Sequence, residues 1–265
     1  MPKVRLDALL ADRGLFASRS RAAASVLAGE IRLGADGRRA DKPGQLVDTD
    51  VAVEVAERPQ YVSRGGVKLA NALDAFGLDV AGRQALDVGA STGGFTDCLL
   101  QRGAEHVIAV DVAYGELAWA LRQDARVTVL ERVNARHLAC DQLPYRPDLV
   151  VCDVSFISLT KVLPAVLTCT AERHDALAMV KPQFEVGREG VGRGGVVRDL
   201  EARRSALAAV AACARSLGAG VLGFAPSGLP GPAGNRETFA WLAEPGRQGA
   251  CADLEGAAAA VEPGA

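Results

Sequence analysis

The chain has 265 residues, 49% of them hydrophobic, with 30 lysines and arginines against 32 acidic residues and a formal net charge of −2. That length carries one or two packed domains, and the near-neutral balance excludes a uniformly polybasic nucleic-acid binder while leaving room for a local basic patch. No run approaches the roughly 18 apolar residues of a membrane span, and the charged opening "MPKVRLDALL" lacks a signal-type apolar core, so a cytoplasmic protein that avoids membranes is expected. Cys98, Cys140, Cys152, Cys169, Cys213 and Cys251 are scattered without a CxxC pair. They read as small buried side chains, and neither a metal nor a disulfide framework is expected.

Residues 1–58 read as a separate small α+β module. "RLDALLADRGL" and "SRSRAAASVLAGE" have helical patterns, and "IRLGADGRRADKPGQLVDTDVAVEV" alternates like strands around glycine turns. Within residues 13–42 the charge is one-sided: Arg13, Arg19, Arg21, Arg32, Arg38, Arg39 and Lys42 face only Glu30, Asp36 and Asp41. Such a patch attracts phosphates by counterion release, although an ordinary solvated face has the same appearance. The whole pattern, with Leu6 to Leu10, "RGL", "SRSRA", Gly29 and "DKPG", closely resembles the RNA-binding domain of ribosomal small-subunit protein four. The resemblance implies phosphate contacts from Ser18, Arg19, Ser20 and Arg21, at a helix N-terminus suited to anions.

"PQYVS", residues 59–63, reads as an interdomain linker, and "RGGVKLANALDAFG" begins a second domain, 64–245, with a helical pattern. Within it "QALDV" (84–88), "HVIAV" (106–110), "VTVL" (127–130), "DLVVC" (148–152) and "DALAMV" (175–180) are short apolar runs separated by helical segments. That is a parallel, doubly wound α/β pattern, whose ligands sit beyond the carboxyl ends of the strands. "GVLGFAP" and "ETFAWLA" read as a hairpin whose second strand runs antiparallel to the rest. Residues 246–265, rich in alanine and glycine, are expected to be a disordered tail.

The first strand runs into "LDVGASTGGFTDCLL", a glycine loop opening a helix, and the second ends in Asp111, 24 residues beyond Asp87. A carboxylate there can accept from both ribose hydroxyls of an adenosine. Asp87, Gly89, Ser91, Thr92, Gly93, Gly94, Phe95 and Asp111 are therefore the cofactor candidates. Ser91 occupies the place of the second glycine in a dinucleotide fingerprint, so pyrophosphate fits poorly. S-adenosylmethionine, with a cationic sulfonium and no phosphate, fits a carboxylate-bearing loop better; NAD is the alternative.

Asp153 in "VVCDVSF" and Lys181 in "AMVKPQF" end the fourth and fifth strands, so both face the cofactor edge. The antiparallel strand brings Glu237 to the same edge, and Lys68 lies on the helix before the first strand. This K-D-K-E order, with "VSRGGVKL", "CDVSFISL", "MVKPQFE" and "GNRETF", closely resembles the TlyA family of ribosomal RNA ribose methyltransferases over nearly all residues to about 245. The resemblance implies a Rossmann-like S-adenosyl-L-methionine-dependent methyltransferase domain behind the RNA-binding module. It also implies 2'-O-methylation of cytidine in small-subunit and often large-subunit ribosomal RNA. The chain departs from the family's Arg-x-Trp-Val linker, with Tyr61 for tryptophan and Arg58 one position further back.

In the reaction so implied, Lys181 is the base or orienting group for the hydroxyl, Asp153 orients Lys181, and Glu237 holds Lys68 and the ribose. The loop "FEVGREGVGRGGVVRD", residues 184–199, carries Arg188, Arg193 and Arg198 and reads as an RNA-holding segment or a plain exposed loop. Phe156 is equally a base-stacking ring or a core side chain. The expected partner is ribosomal RNA or a ribosomal subunit, met by a monomer; the rival function is a noncatalytic ribosome assembly factor. A haemolysin, a label sometimes attached to the family, would need membrane-active segments that the sequence lacks.

Overall fold

The computed structural model describes residues 2–56 and 59–262, and the chain divides into two units, Met1–Pro59 and Gln60–Ala265. In the first, β1 (Lys3–Arg5), α1 (Leu6–Asp12), α2 (Arg19–Ala28), β2 (Ile31–Leu33), β3 (Arg38–Arg39), β4 (Leu46–Asp48) and β5 (Val53–Val55) follow one another. β1 pairs with β4, and β3-β2-β5 form an antiparallel sheet. Leu6, Leu10, Val26 and Ile31 fill the small core. α2 starts on the Ser18 side chain, which accepts from the Arg21 amide at 3.2 Å, and stops at Gly29 in the left-handed region. Not all the cations of this unit are left for a ligand: Arg13 donates to the Thr49 and Val51 carbonyls at 2.7 and 2.8 Å.

The second unit contains α3 (Arg64–Phe76), β6 (Gln84–Val88), α4 (Gly94–Gln101), β7 (His106–Asp111), α5 (Trp119–Arg122), β8 (Val127–Glu131) and β9 (Leu149–Cys152). After these come α6 (Leu163–Thr168), β10 (Asp175–Val180), α7 (Pro182–Glu185), α8 (Leu200–Ser216), β11 (Gly220–Pro226), β12 (Thr238–Ala243) and α9 (Leu254–Val261). One seven-stranded sheet, ordered β11-β12-β10-β9-β6-β7-β8, contains the five parallel strands that the apolar runs predict. β12 lies antiparallel between β10 and β11, also as expected. Strand alternation divides the core: Leu86, Val88, Ile108, Val110 and Val150 pack on one face, and Ala85, Val107, Ala109, Val151 and Leu177 on the other. The strand order reverses at β6, between β7 and β9, and there the loops leaving the strands part.

Two expectations differ from the structure. Residues 60–63 are fastened to the second unit: Tyr61 is buried against Gly66, and the Val62 amide donates to Asp97 at 2.8 Å. The Arg58 half of the linker departure lies outside the described residues. The tail expected to be disordered forms α9, capped by Asp253, with Leu254 and Ala258 buried in the main core. Composition is a poor guide here because one leucine and one alanine suffice to seat two helical turns on α8. Leu254→Ala should therefore lower the unfolding free energy by about 2–3 kcal/mol in denaturant titration. An unchanged midpoint would mean that α9 does not dock.

Candidate active site

The loop after β6 is built around close backbone approach. Gly89 has φ +86°, and a Cβ there would stand 2.5 Å from the Asp153 carbonyl oxygen; the Asp153 amide in turn donates to Val88 at 2.9 Å. Only glycine lets the ends of β6 and β9 lie so near each other. Ser91 comes next with φ +48°, its amide donating to Asp111 Oδ2 at 2.7 Å, while Asp111 Oδ1 accepts from the Ala113 amide at 2.8 Å. The loop after β6 is thus tied to the end of β7.

Two clefts meet over Gly89 and Asp153. The larger, about 710 Å³, is lined by Lys68, Asp153, Lys181 and Glu237, so all four residues expected to converge do so. The smaller, about 470 Å³, lies between Gly89, Asp111, Asn134 and the apolar side chains of Val133, Val154, Ile157 and Val162.

Each lysine has its own carboxylate. Lys68, 7% exposed on α3, pairs with Glu237, 3% exposed. Lys181, 9% exposed, lies 2.6 Å from Asp153 Oδ1 and donates to Ser155 Oγ at 2.7 Å. The register of β12 on β10, with Thr238 opposite Val180, sets Glu237 beside Lys181. Gly231 makes room for that carboxylate, since a Cβ at this position would overlap Glu237 Oε1. Pro182 succeeds Lys181 at the first position of α7, where its missing N–H costs nothing.

The cofactor candidates separate into groups. Gly89, Ser91, Thr92, Gly94 and Phe95 line the larger cleft, and Gly89, Ser91 and Asp111 the smaller. Gly93 lines neither; it packs on Leu117 and Leu121 with φ +96°. Phe95 is largely buried, its ring 5.8 Å from that of Phe239.

Asp87 is a correction to the carboxylate-bearing loop expected from sequence. It is 0% exposed and lines neither cleft, because Oδ2 accepts from the Thr96 amide at 2.9 Å and from Thr96 Oγ1 at 2.7 Å, pinning α4 to β6. Burial pushes its carboxyl from 3.8 up to about 7, and the nearby Asp153 and Asp111 carboxylates add to the rise.

Sequence reasoning passed over Ser155, two residues after Asp153 in the same quoted run, and Arg64, Asn235, Gln183 and Phe184, which also line the larger cleft. Arg64 donates to the Pro230 carbonyl at 2.7 Å and draws the 228–237 segment toward the start of α3. Phe156 is 92% exposed with φ +64°, so it is not a core side chain; its ring lies 5.3 Å from that of Phe184 at the cleft. In the first unit Ser18, Arg19, Ser20 and Arg21 are all exposed, as is Arg193 in the second. Arg188 opens a short helical turn, Arg188–Gly190.

The FtsJ-like methyltransferase family matches residues 61–244. Over 242 residues the chain is 52% identical to the 16S/23S rRNA (cytidine-2'-O)-methyltransferase TlyA of Mycobacterium tuberculosis, spanning 91% of this chain and 90% of that protein. The chain belongs to the TlyA family. A second relative, the candidate rRNA methyltransferase YqxC of Bacillus subtilis, is 44% identical over 246 residues, 92% of this chain and 87% of the relative. A solved structure of a candidate hemolysin from Streptococcus thermophilus shares 39% identity and a TM-score of 0.72, covering 98% of this chain and 96% of that one. Among the described residues of this TlyA-family chain, no helix is long and apolar enough to cross a membrane. Its second unit is a Rossmann-like methyltransferase domain, and S-adenosyl-L-methionine is its methyl donor.

The buried Asp87 carboxyl makes stability depend on pH. Its folded pKa lies above its unfolded one, so its contribution is full below about pH 4 and is lost as pH rises through about 7. Asp87→Asn should remove that decline. Melting midpoints of variant and parent, compared from pH 5 to pH 8, should shift steadily in the variant's favour; parallel curves would show that Asp87 does not titrate in this window.

Proposed function

We propose that the protein transfers a methyl group from S-adenosylmethionine to the 2'-hydroxyl of a cytidine in ribosomal RNA of the small and large subunits, acting as a monomer in the cytoplasm. The observation that carries this reading is the meeting of the Lys68–Glu237 and Lys181–Asp153 pairs in one cleft at the Gly89 loop. The named activity of the Mycobacterium tuberculosis relative supports it.

The smaller cleft suits the cofactor. Its valine and isoleucine walls accept a flat adenine, Asp111 stands at its edge as the ribose acceptor, and Gly89 brings main chain against the ligand without a Cβ. When bound, S-adenosylmethionine supplies an electrophilic methyl on sulfur that departs as a neutral thioether. The protein has to place the hydroxyl oxygen and remove its proton. Lys181 holds that oxygen, and the proton leaves through the Lys181–Asp153 pair, which Ser155 steadies. Lys68, fixed by Glu237, orients the ribose from the opposite wall. Phe156 stacks on the base drawn out of its helix. Ser18, Arg19, Ser20, Arg21, Arg188 and Arg193 hold backbone phosphates.

Two experiments test this division of labour. Lys181→Ala should lower kcat by about 10²–10⁴-fold, with calorimetric affinity for S-adenosylmethionine kept; near-parental turnover would remove Lys181 from the chemistry. Replacing Arg19 and Arg21 together by alanine should weaken binding to ribosomal subunits and flatten the plot of log binding constant against log salt by roughly 1–2 in slope. An unaltered slope would place the phosphate contacts elsewhere.

A further inference from the structure

α9 lies beyond residue 244, where the match to the FtsJ-like family ends. Just after it comes Glu262, 3% exposed. Its Oε2 accepts from Arg203 Nε at 3.1 Å and Arg236 Nη1 at 3.4 Å, and its carbonyl oxygen accepts from Arg204 Nε and Nη2 at 3.0 and 2.8 Å. One buried carboxylate thus joins α8 to the residue directly before Glu237.

The contacts continue past the arginines. Arg203 Nη1 donates to the carbonyls of Val197 and Arg198 at 3.4 and 2.8 Å, so the guanidinium that holds Glu262 also holds the end of the 188–199 loop. From the cleft side Asn235, 1% exposed, grips the same loop: its Oδ1 accepts from the Val197 amide at 2.9 Å, and its Nδ2 donates to the Gly195 carbonyl at 2.7 Å. Val197 is thereby held at its carbonyl by the Glu262 cluster and at its amide by a residue that lines the active cleft.

We propose that Glu262 is a positioning residue for methyl transfer: by holding Arg203 and Arg236 together, it fixes the 188–199 loop against the Asn235–Glu237 segment. Arginine's rigid fork allows this double use, with one edge on the carboxylate and the remaining nitrogen on the loop carbonyls. Without the carboxylate, Arg203 and Arg236 repel each other, and the loop loses its outer anchor. Glu237 then keeps its partner Lys68 and its carbonyl's bond from the Ser227 amide, but the Asn235–Arg236 stretch leading into it loses its tether to α8. The catalytic half of this inference rests on the function proposed above; the loop-anchoring half does not.

The test uses the full chain carrying Glu262→Gln, which keeps the shape and removes the charge. Hydrogen exchange at the Val197 amide should accelerate by about tenfold or more while β6 and β9 keep their protection. The kcat on ribosomal subunits should fall by about tenfold, with KM for S-adenosylmethionine within about twofold of the parent, as expected for misplacement rather than lost binding. Glu262→Asp should recover much of both. Should Glu262→Gln not fold, Arg203→Lys keeps the ion pair but cannot serve both sets of acceptors, and it should loosen Val197 in the same way. Unchanged Val197 exchange overturns the proposal, and so does a loosened loop with undiminished kcat. A parent protein inactive on ribosomal RNA would sink the proposed function instead, since exchange at Val197 reads the anchoring by itself.

Discussion

Two ammonium groups held out of water at the edge of one sheet constrain the rest of the methyltransferase domain. Burying either one alone costs several kcal/mol, and the cost is offset only when a carboxylate meets it in good geometry. Asp153 reaches Lys181 because β9 and β10 are parallel neighbours, with Cys152 opposite Ala178, so that the residues leaving both carboxyl ends lie close together. Lys68 needs a carboxylate from 169 residues away. A parallel strand beside β10 would begin at the far edge of the sheet, so it is the antiparallel β12 that delivers Glu237, and Gly231 that leaves space for its oxygen. The final hairpin, the close turn at Gly231 and the position of α3 before β6 all serve the Lys68–Glu237 pair.

Much of this was legible because strands covered on both faces are written as unbroken apolar runs, and the residue that ends each run must stand at the ligand edge. That placed Asp153 and Lys181, and the antiparallel hairpin placed Glu237. Asp87 was misread by looking along the chain toward the glycine loop rather than across the strand. It alternates with Leu86 and Val88 and shares the face of Ala85, which α4 covers, so its carboxylate meets Thr96 instead of the cleft. β1 was missed because a three-residue strand shows no period. α9 was missed because its docking depends on what α8 presents, not on its own composition. Phe156 could not be decided from sequence, since an aromatic one turn past a strand fits a core as well as a cleft.

The non-glycine residues with left-handed backbone among those described are Ser91, Arg132 and Phe156; Ser91 and Phe156 line both clefts, and Arg132 directly precedes Val133 of the smaller one. Such conformations cost about 1–3 kcal/mol each and persist only where neighbours over-determine them. The restraints are visible. The Ser91 amide is bound to Asp111, Arg132 lies over the Tyr114 ring at 4.3 Å, and Phe156 leans on Phe184. Beyond Phe156, Glu185 accepts from Ser158 Oγ at 2.6 Å and from the Leu159 amide at 2.9 Å, tying the loop after β9 to the helix after Lys181. Burial raises the Glu185 carboxyl, and protonation on acidification removes the charge that strengthens both bonds, so this tie weakens. The loops carrying Ser155 and Phe156 are thus held in unfavourable backbone shapes by bonds to the segment carrying Lys181. Phe156 and Lys181 are set against each other before any substrate arrives, which is where oriented catalysis of the kind proposed above requires the ordering to have been done.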